Sequence, residues 1–272
     1  MVTTDADAMA ELPGGRLRTD KMPGHWLLAR LGKRVLRPGG LAMTQALLAD
    51  LSIGPEDDVV ELAPGLGLTA RLILEKAPRS YVGVERDREA AAWTARRLPD
   101  APHVSVRVGT AEETGLGDAT ASIVLGEAML SMNSPEHKRL IVSEAHRVLQ
   151  PGGRYAIHEL QIVPDDVAAE VKEEIETRLS AAIHVGARPL TRGEWCACLE
   201  QAGFTVEATG RVPMNLLRPA RLIADEGLWR ALRFVRNVII DRDARRRVLM
   251  MRRTFHKYRA HLNAISIVAR KD

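Results

Sequence analysis

From residue 55 onward the chain alternates between two rhythms of apolar residues. Short continuous runs at 59–62, 81–85, 104–108, 123–126 and 155–159 predict strands. Stretches with apolar residues every three or four positions, at 69–76, 88–98 and 136–149, predict helices between them. Such alternation predicts a parallel sheet covered by helices on both faces. Two further helices precede it, at 26–36 and 41–51. An amphipathic helix follows over 165–183, with Val167, Val171, Ile175 and Leu179 on one face. Another spans 191–202 and opens with Thr191 and Glu194 at capping-box spacing. Runs at 204–212 and 264–270 predict the last two strands. Between them, 215–261 is an insertion with two helical stripes: Leu228, Leu232, Val235 and Ile239, then Val248, Met251, Phe255, Tyr258 and Leu262. Asp241 or Asp243 is placed to cap the second helix.

The stretch from Val59 to Gly67 runs an apolar strand into a glycine turn. Glu61 stands four residues before Gly65, and Glu85 ends the next strand. Glycines let a backbone approach a ligand and a carboxylate accepts two ribose hydroxyls, so the pattern places a nucleoside-containing cofactor at the end of the sheet. Two cofactors compete. Gly65, Gly67 and Ala70 fit the G-x-G-x-x-G/A fingerprint, with Glu85 at the spacing of the ribose-binding acid, which suits NAD and an oxidoreductase. Glu61 argues the other way. A carboxylate at the mouth of the turn would repel a pyrophosphate and oppose the helix N-terminus that should bind it. S-adenosylmethionine has no phosphate; its amino group and sulfonium are cationic, and an acid there favours it.

The same residues, with those that follow, resemble the class I S-adenosylmethionine-dependent methyltransferases. The family's first motif is an acid, three residues, glycine, one residue, glycine, here Glu61, Gly65 and Gly67, with Pro64 inside it and Ala63 where the fuller pattern has a glycine. The resemblance assigns Glu85, with Arg86 beside it, to the ribose hydroxyls. A third motif falls at Gly109-Thr110-Ala111-Glu112, where Thr110 replaces the usual aspartate, so Thr110 or Glu112 would read the adenine amino group. A fourth strand then ends in Gly126-Glu127, and the resemblance gives Glu127 the donor's amino group. Last comes the turn Leu149-Gln150-Pro151-Gly152-Gly153 before strand 155–159. These motifs cover roughly residues 55 to 160 in family order. They imply a Rossmann-like α/β fold with a seven-stranded, mostly parallel sheet whose final strand is antiparallel.

Composition changes this picture in few places. Two cysteines, Cys196 and Cys198, lie two apart on an expected helix and point in different directions, which suits neither a disulfide framework nor a zinc site. A reducing cytoplasm is the default compartment. No apolar stretch is long enough to span a bilayer. Residues 1–20 lack the apolar run of a secretory signal and read as a flexible tail broken by Pro13-Gly14-Gly15. The insertion 215–261 is heavily basic, with twelve arginines and Lys257 against Asp225, Glu226, Asp241 and Asp243. It reads as a solvated helix face or as an electropositive surface for an anionic substrate, a peripheral membrane contact or nucleic acid. Nucleic acid is disfavoured, because aromatic residues are only 4% and leave few stacking platforms.

In open α/β sheets ligands bind beyond the carboxyl ends of the strands, which gathers Glu61, Glu85, Glu127, and His158 or Glu159 at one rim. The donor is already activated by its charge, so the enzyme mainly aligns reactants and excludes water. His158 is the first candidate base, with a structural hydrogen-bonded histidine as the other reading, and Glu127 the alternative orienting group for a cationic acceptor. His25 and His184 are placed within reach of the same pocket, and each also suits a surface or capping role. Met129 and Met132 are placed to line an adaptable wall or to pack in the core. No metal is expected, since the strand-end carboxylates are claimed by the cofactor.

The sequence therefore reads as one methyltransferase domain over 21–272. It comprises an N-terminal helical cap (21–52), a cofactor core (53–160), a lid helix (161–190), and a C-terminal part (191–272) carrying the insertion. The expected acceptor is a small molecule, with an anionic one fitting the basic insertion. The rival readings are an NAD-dependent oxidoreductase and a non-catalytic cofactor-binding protein with a basic surface. Both a monomer and a homodimer fit.

Overall fold

The computed structural model describes residues 12–15 and 17–272. Among them β1 (Asp58–Leu62), β2 (Ser80–Glu85), β3 (Val104–Val108), β4 (Ala121–Glu127), β5 (Leu149–Ile162), β6 (Phe204–Pro213) and β7 (Leu262–Lys271) form one sheet in the order β3-β2-β1-β4-β5-β7-β6. The pairings from β3 to β5 are parallel, and β7 runs antiparallel to both β5 and β6. Strand order reverses between β1 and β4. That is the switch point at which α/β sheets open a crevice for a ligand.

The helices are α1 (Gly24–Arg30), α2 (Gly40–Leu51), α3 (Leu68–Leu74), α4 (Arg88–Ala95), α5 (Pro135–Val148), α6 (Ala169–Ile183), α7 (Arg192–Glu200), α8 (Pro219–Glu226), α9 (Leu228–Ile240) and α10 (Arg242–Lys257). Successive strand residues point to opposite faces, and each face has its own core. Val60, Leu62, Val124 and Ile157 pack with Ile141, Val142, Trp195 and Leu199 of α5 and α7. Val59, Ile123, Leu125 and Ala156 pack with Leu47, Leu51, Ala70 and Ile73 of α2 and α3. Strands covered on both faces explain why β1 and β4 are nearly continuous apolar runs.

A third apolar cluster joins Leu27 and Leu28 of α1, Ala182 of α6, Leu222 of α8, Phe234 of α9 and Val248 and Met251 of α10. A fourth ties Ile175 and Leu179 of α6 to Leu160 and Ile162 at the end of β5 and to Tyr258 and Leu262. The N-terminal helix, α6 and the insertion thus share a core beside the carboxyl end of β5.

Local structure departs from the sequence expectation where single residues intervene. The helix expected over 26–36 stops at Arg30, because Gly32 takes φ 108° and the chain then runs to the turn Arg37-Pro38-Gly39-Gly40. Pro38 disfavours helix at Arg37. The helix expected from 165 begins at Ala169. The insertion holds three helices, with Gly227 at φ 78° breaking α8 from α9. Asp241 caps α10 by accepting from the Asp243 and Ala244 N–H groups, and Thr191 with Glu194 forms the capping box of α7. Part of the expected tail 1–20 lies outside the described residues. Of the rest, Gly14 donates its N–H to Glu89 at 3.3 Å and the Thr19 carbonyl accepts from Arg247 at 2.6 Å, so these residues are fastened to α4 and α10.

Candidate active site

The glycine turn joins β1 to α3. Ala63, Gly65 and Gly67 all take positive φ, at 56°, 57° and 72°. A side chain added at Gly67 would meet Thr94 Cγ2 at 3.0 Å, so this glycine permits close packing of the turn on α4. Beside Gly65 the space is open, the nearest atom to an added Cβ being the Ala63 carbonyl at 3.8 Å. Glu85 is buried at the end of β2. Its carboxylate accepts the Gly65 N–H at 3.2 Å and the Asp87 N–H at 3.1 Å, which fixes it against the turn. Burial raises its pKa. Glu61 is buried one residue before the end of β1 and accepts the Tyr81 hydroxyl at 2.7 Å. Burial pushes its pKa up to about 8, against the lowering effect of that hydrogen bond.

Beyond β4 lies a buried polar network centred on Glu127. One oxygen accepts from the Thr44 hydroxyl at 2.6 Å and from His158 Nδ1 at 2.8 Å. The other accepts from Arg37 Nη1 and the Thr69 hydroxyl. Arg37 Nη1 also donates to the hydroxyls of Thr44, at 3.1 Å, and Thr69. Burial alone would raise the pKa of Glu127. Arg37 and His158 outweigh it and hold the carboxyl down at about 2. His158 is fully buried, and its Nε2 accepts the Gly39 N–H at 2.9 Å. The ring proton therefore lies on Nδ1 and is given to Glu127. Gly39 is required here, since an added Cβ would lie 2.7 Å from His158 Nε2.

Further residues hold the surrounding walls. Glu159, fully buried, accepts the N–H groups of Met129, Leu130 and Ser131 at 2.7 to 2.9 Å and so fixes the loop after β4. Glu226 of α8 accepts the Arg34 and Val35 N–H groups at 2.7 and 2.8 Å, and Asp225 accepts that of Leu41 at 3.0 Å. These bonds bind the insertion to the N-terminal segment.

Between these groups lies a cavity of about 460 Å³. One end is walled by Glu61, Ala63, Pro64, Gly65, Glu85, Arg86, Ala111 and Glu112; the other by Met129, Met132, Leu179, Ile183, Met214, Leu216, Met251 and Phe255. Arg37, Glu127 and Glu159 also line it.

A family model described as a methyltransferase domain matches residues 60–157. Over 253 residues the chain is 32% identical to a Haemophilus influenzae protein named only as uncharacterized, a match spanning 91% of this chain and 98% of that one. An uncharacterized methyltransferase of Synechocystis is 29% identical over 137 residues, 50% of this chain and 63% of its own. The chain is a methyltransferase of the class I fold. Phosphoethanolamine N-methyltransferase 2 of Haemonchus contortus, solved with S-adenosyl-L-methionine, has the same fold, with a TM-score of 0.69 over 91% of this chain and 56% of that one at 16% identity. The seven-stranded sheet is that of this fold.

Within this methyltransferase the expected site residues divide. Glu61, Ala63, Pro64, Gly65, Glu85, Arg86, Ala111, Glu112 and Glu127 all face the one cavity, whereas Gly67, Thr110, Gly126 and His158 are not in its wall. Two expected roles change. His158, expected as a base at the rim, is fully buried with both ring nitrogens engaged, so it has no nitrogen to offer an acceptor. Glu127, expected to take the donor's amino group, has both oxygens occupied by protein donors. His25 does line the cavity, with its side chain exposed to solvent. His184 ends α6 in a left-handed conformation and is not in the cavity wall. Sequence reading missed Arg37, Thr44 and Thr69. The signal for Arg37 was an arginine set directly before Pro-Gly-Gly at the start of an apolar helix; the two threonines gave none.

The residues fit the donor. Glu61, Glu85, Asp87 and Glu112 place four carboxyl groups around the turn end of the cavity, which suits a cationic nucleoside and opposes a pyrophosphate.

Proposed function

We propose that this methyltransferase acts on a small, largely apolar acceptor enclosed beside the donor. The observation that carries the reading is the continuity of the cavity. The wall that begins with the carboxylates of the glycine turn ends in a chamber of methionine, leucine, isoleucine and phenylalanine side chains. Residues 21–52, the segment 161–190 and the insertion 215–261 serve as its lid; the Glu226 and Asp225 bonds join the first to the insertion, and the Tyr258 hydroxyl bond to Glu174 joins the insertion to the second.

The bound donor supplies an electrophilic methyl carbon on a cationic sulfur. Glu85 holds the ribose hydroxyls, Glu112 and the Ala111 backbone meet the adenine, and Glu61 faces the cationic end. Arg37, oriented by Glu127, takes the donor's carboxylate. The methionine-rich chamber excludes water and aligns the acceptor. With both nitrogens of His158 in use, the site suits a nucleophile that needs no deprotonation at neutral pH, such as an uncharged amine or a thiolate.

Two measurements test this. Calorimetric titration should show saturable binding of S-adenosylmethionine and S-adenosylhomocysteine, weakened in Glu85→Ala, and none of NAD(H). Incubation with methyl-labelled donor and a cell extract should place the label in material that passes a small-molecule filter. Label confined to protein or nucleic acid would overturn the small-acceptor reading while leaving donor binding intact.

A further inference from the structure

The stripe Leu228, Leu232, Val235 and Ile239 on α9 does not face the protein. Each of these residues is about half exposed, and α9 is anchored instead through Ala231 and Phe234. Their spacing of four, three and four puts them on one side of the helix. Next to that side stand Trp229, 81% exposed, and Ile240, 70% exposed. Arg233 and Arg236 lie on the same flank, and α10 adds exposed Arg242, Arg246 and Arg253 with exposed Leu249 and Met250. Asp225 and Glu226 of the insertion are buried against the N-terminal segment and do not offset this surface charge, whereas exposed Asp243 pairs with Arg246 at 2.6 Å and offsets that one arginine.

A second cavity, of about 290 Å³, opens on the side of α9 away from the stripe, with Arg233 at its edge. Arg30, Arg34, Arg71, Arg97, Arg230 and Arg233 line it, beside the turn residues Leu66 and Leu68. Glu226 and Asp241 pair with Arg30, Arg34 and Arg230 at 3.4 to 3.6 Å, and Arg97 lies over the Trp93 ring, 3.2 Å from its centroid. No carboxylate is among the described residues of the cavity wall.

We propose that α9 docks this enzyme on an anionic lipid bilayer, with its apolar stripe and Trp229 in the headgroup boundary and the exposed arginines beside them against lipid phosphates. The charge pattern selects this occupant. A second copy of the chain would bring the same arginines face to face, and like charges across an interface oppose association. Nucleic acid would use the arginines but leave the leucine and isoleucine stripe in water. An interfacial helix needs both features together: apolar and tryptophan side chains on one side, arginines flanking them. The proposal does not depend on the identity of the acceptor.

Flotation of the full-length protein with phosphatidylcholine vesicles, with and without phosphatidylglycerol, tests it. The protein should float with the anionic vesicles at low salt and be released as salt rises. Trp229 emission should shift to the blue, a shift absent in Trp229→Phe. Leu232→Glu should weaken binding about tenfold or more, and Arg233→Glu with Arg236→Glu by at least about thirtyfold, with the circular dichroism spectrum and donor binding unchanged. The assignment is overturned by failure of the wild type to float. It is equally overturned by equal flotation with neutral vesicles, by a dimer that Leu232→Glu dissociates, or by retention on RNA without vesicle binding.

Discussion

Replacing Glu127 by glutamine keeps its shape and removes its charge, and the surrounding donors fix the consequence. Arg37 Nη1 and the Thr69 hydroxyl reach one oxygen, the Thr44 hydroxyl and His158 Nδ1 the other. Arginine cannot accept a hydrogen bond, so the amide oxygen must turn toward Arg37 and the NH2 toward Thr44 and His158. The threonine hydroxyl can rotate to accept. His158 can accept only by moving its proton to Nε2, where the Gly39 N–H already donates. One donor then faces another in a buried site.

Leaving a buried donor unsatisfied costs about 1–3 kcal/mol, and a charge-assisted bond to arginine is worth roughly 1.5–3 kcal/mol. The pKa of Glu127 gives a second route to the magnitude. Its depression from 4.5 to about 2 corresponds to roughly 3 kcal/mol of preference for the charged form. Glu127→Gln should therefore lose about 3 kcal/mol in urea unfolding at pH 7. The sign with pH follows from the depressed folded value: the contribution is full above pH 4.5 and lost as pH falls toward 2. The variant should accordingly show a flatter acid limb than the wild type. Arg37→Met alone should be at least as damaging, because it leaves the carboxylate buried without its cation, and the double variant should lose less than the sum. A loss below about 1 kcal/mol in both single variants, with additive behaviour in the double, would refute the network.

Glu61 should behave in the opposite sense. Its folded pKa, raised to about 8, makes its stability contribution full below pH 4.5 and diminishing as pH rises toward 8. Donor binding, which favours the carboxylate, should tighten up to about tenfold per pH unit from 6 to 8, with proton release seen by calorimetry in two buffers. Glu61→Gln should abolish the trend. Gly39→Ala adds a Cβ at 2.7 Å from His158 Nε2 although the backbone there, at φ −86°, suits alanine. It should cost about 1–3 kcal/mol in urea unfolding through overpacking alone. Val185→Trp, at a half-buried position in the cavity wall, should raise the acceptor KM in steady-state kinetics while the donor Kd stays unchanged.

The sheet was legible because its signals are local. Strands β1, β2 and β4 are short apolar runs, β5 holds one at 155–159 within its fourteen residues, and the spacing from Glu61 to Gly65 and Gly67 lies within one strand and one turn. Glu61, Glu85 and Glu112 end strands or follow them directly, so chain position alone brings them to one rim. The Glu127 network was not legible for the opposite reason. Arg37 is 90 residues from Glu127 and His158 is 31, and their meeting depends on a helix break at Gly32 and a turn at Pro38. A histidine at a strand end reads as a candidate base until the Gly39 N–H is seen to occupy its second nitrogen. Periodicity likewise found the stripe of α9 but not its direction. An apolar face predicts burial, and only the packing of Ala231 and Phe234 shows that the larger residues turn away.

That orientation gives α10 a double duty. Met251 and Phe255 reach into the donor cavity, while Leu249, Met250 and Arg253 on the same helix stand in solvent. Helical geometry puts these two sets on different sides, a turn or less apart along the axis. Tyr258, at the end of the helix, donates its hydroxyl to Glu174 of α6 at 2.6 Å. Any tilt of α10 as the insertion meets a surface must therefore move the chamber wall and pull on α6, which supplies Leu179 and Ile183 to the same chamber. Surface docking and access of the acceptor to the cavity thus share one rigid element. Vesicles that bind the protein should change the acceptor KM with the donor Kd unchanged, and Leu232→Glu should remove that change. An acceptor KM that stays constant when the enzyme is fully vesicle-bound would separate the two surfaces and refute the coupling.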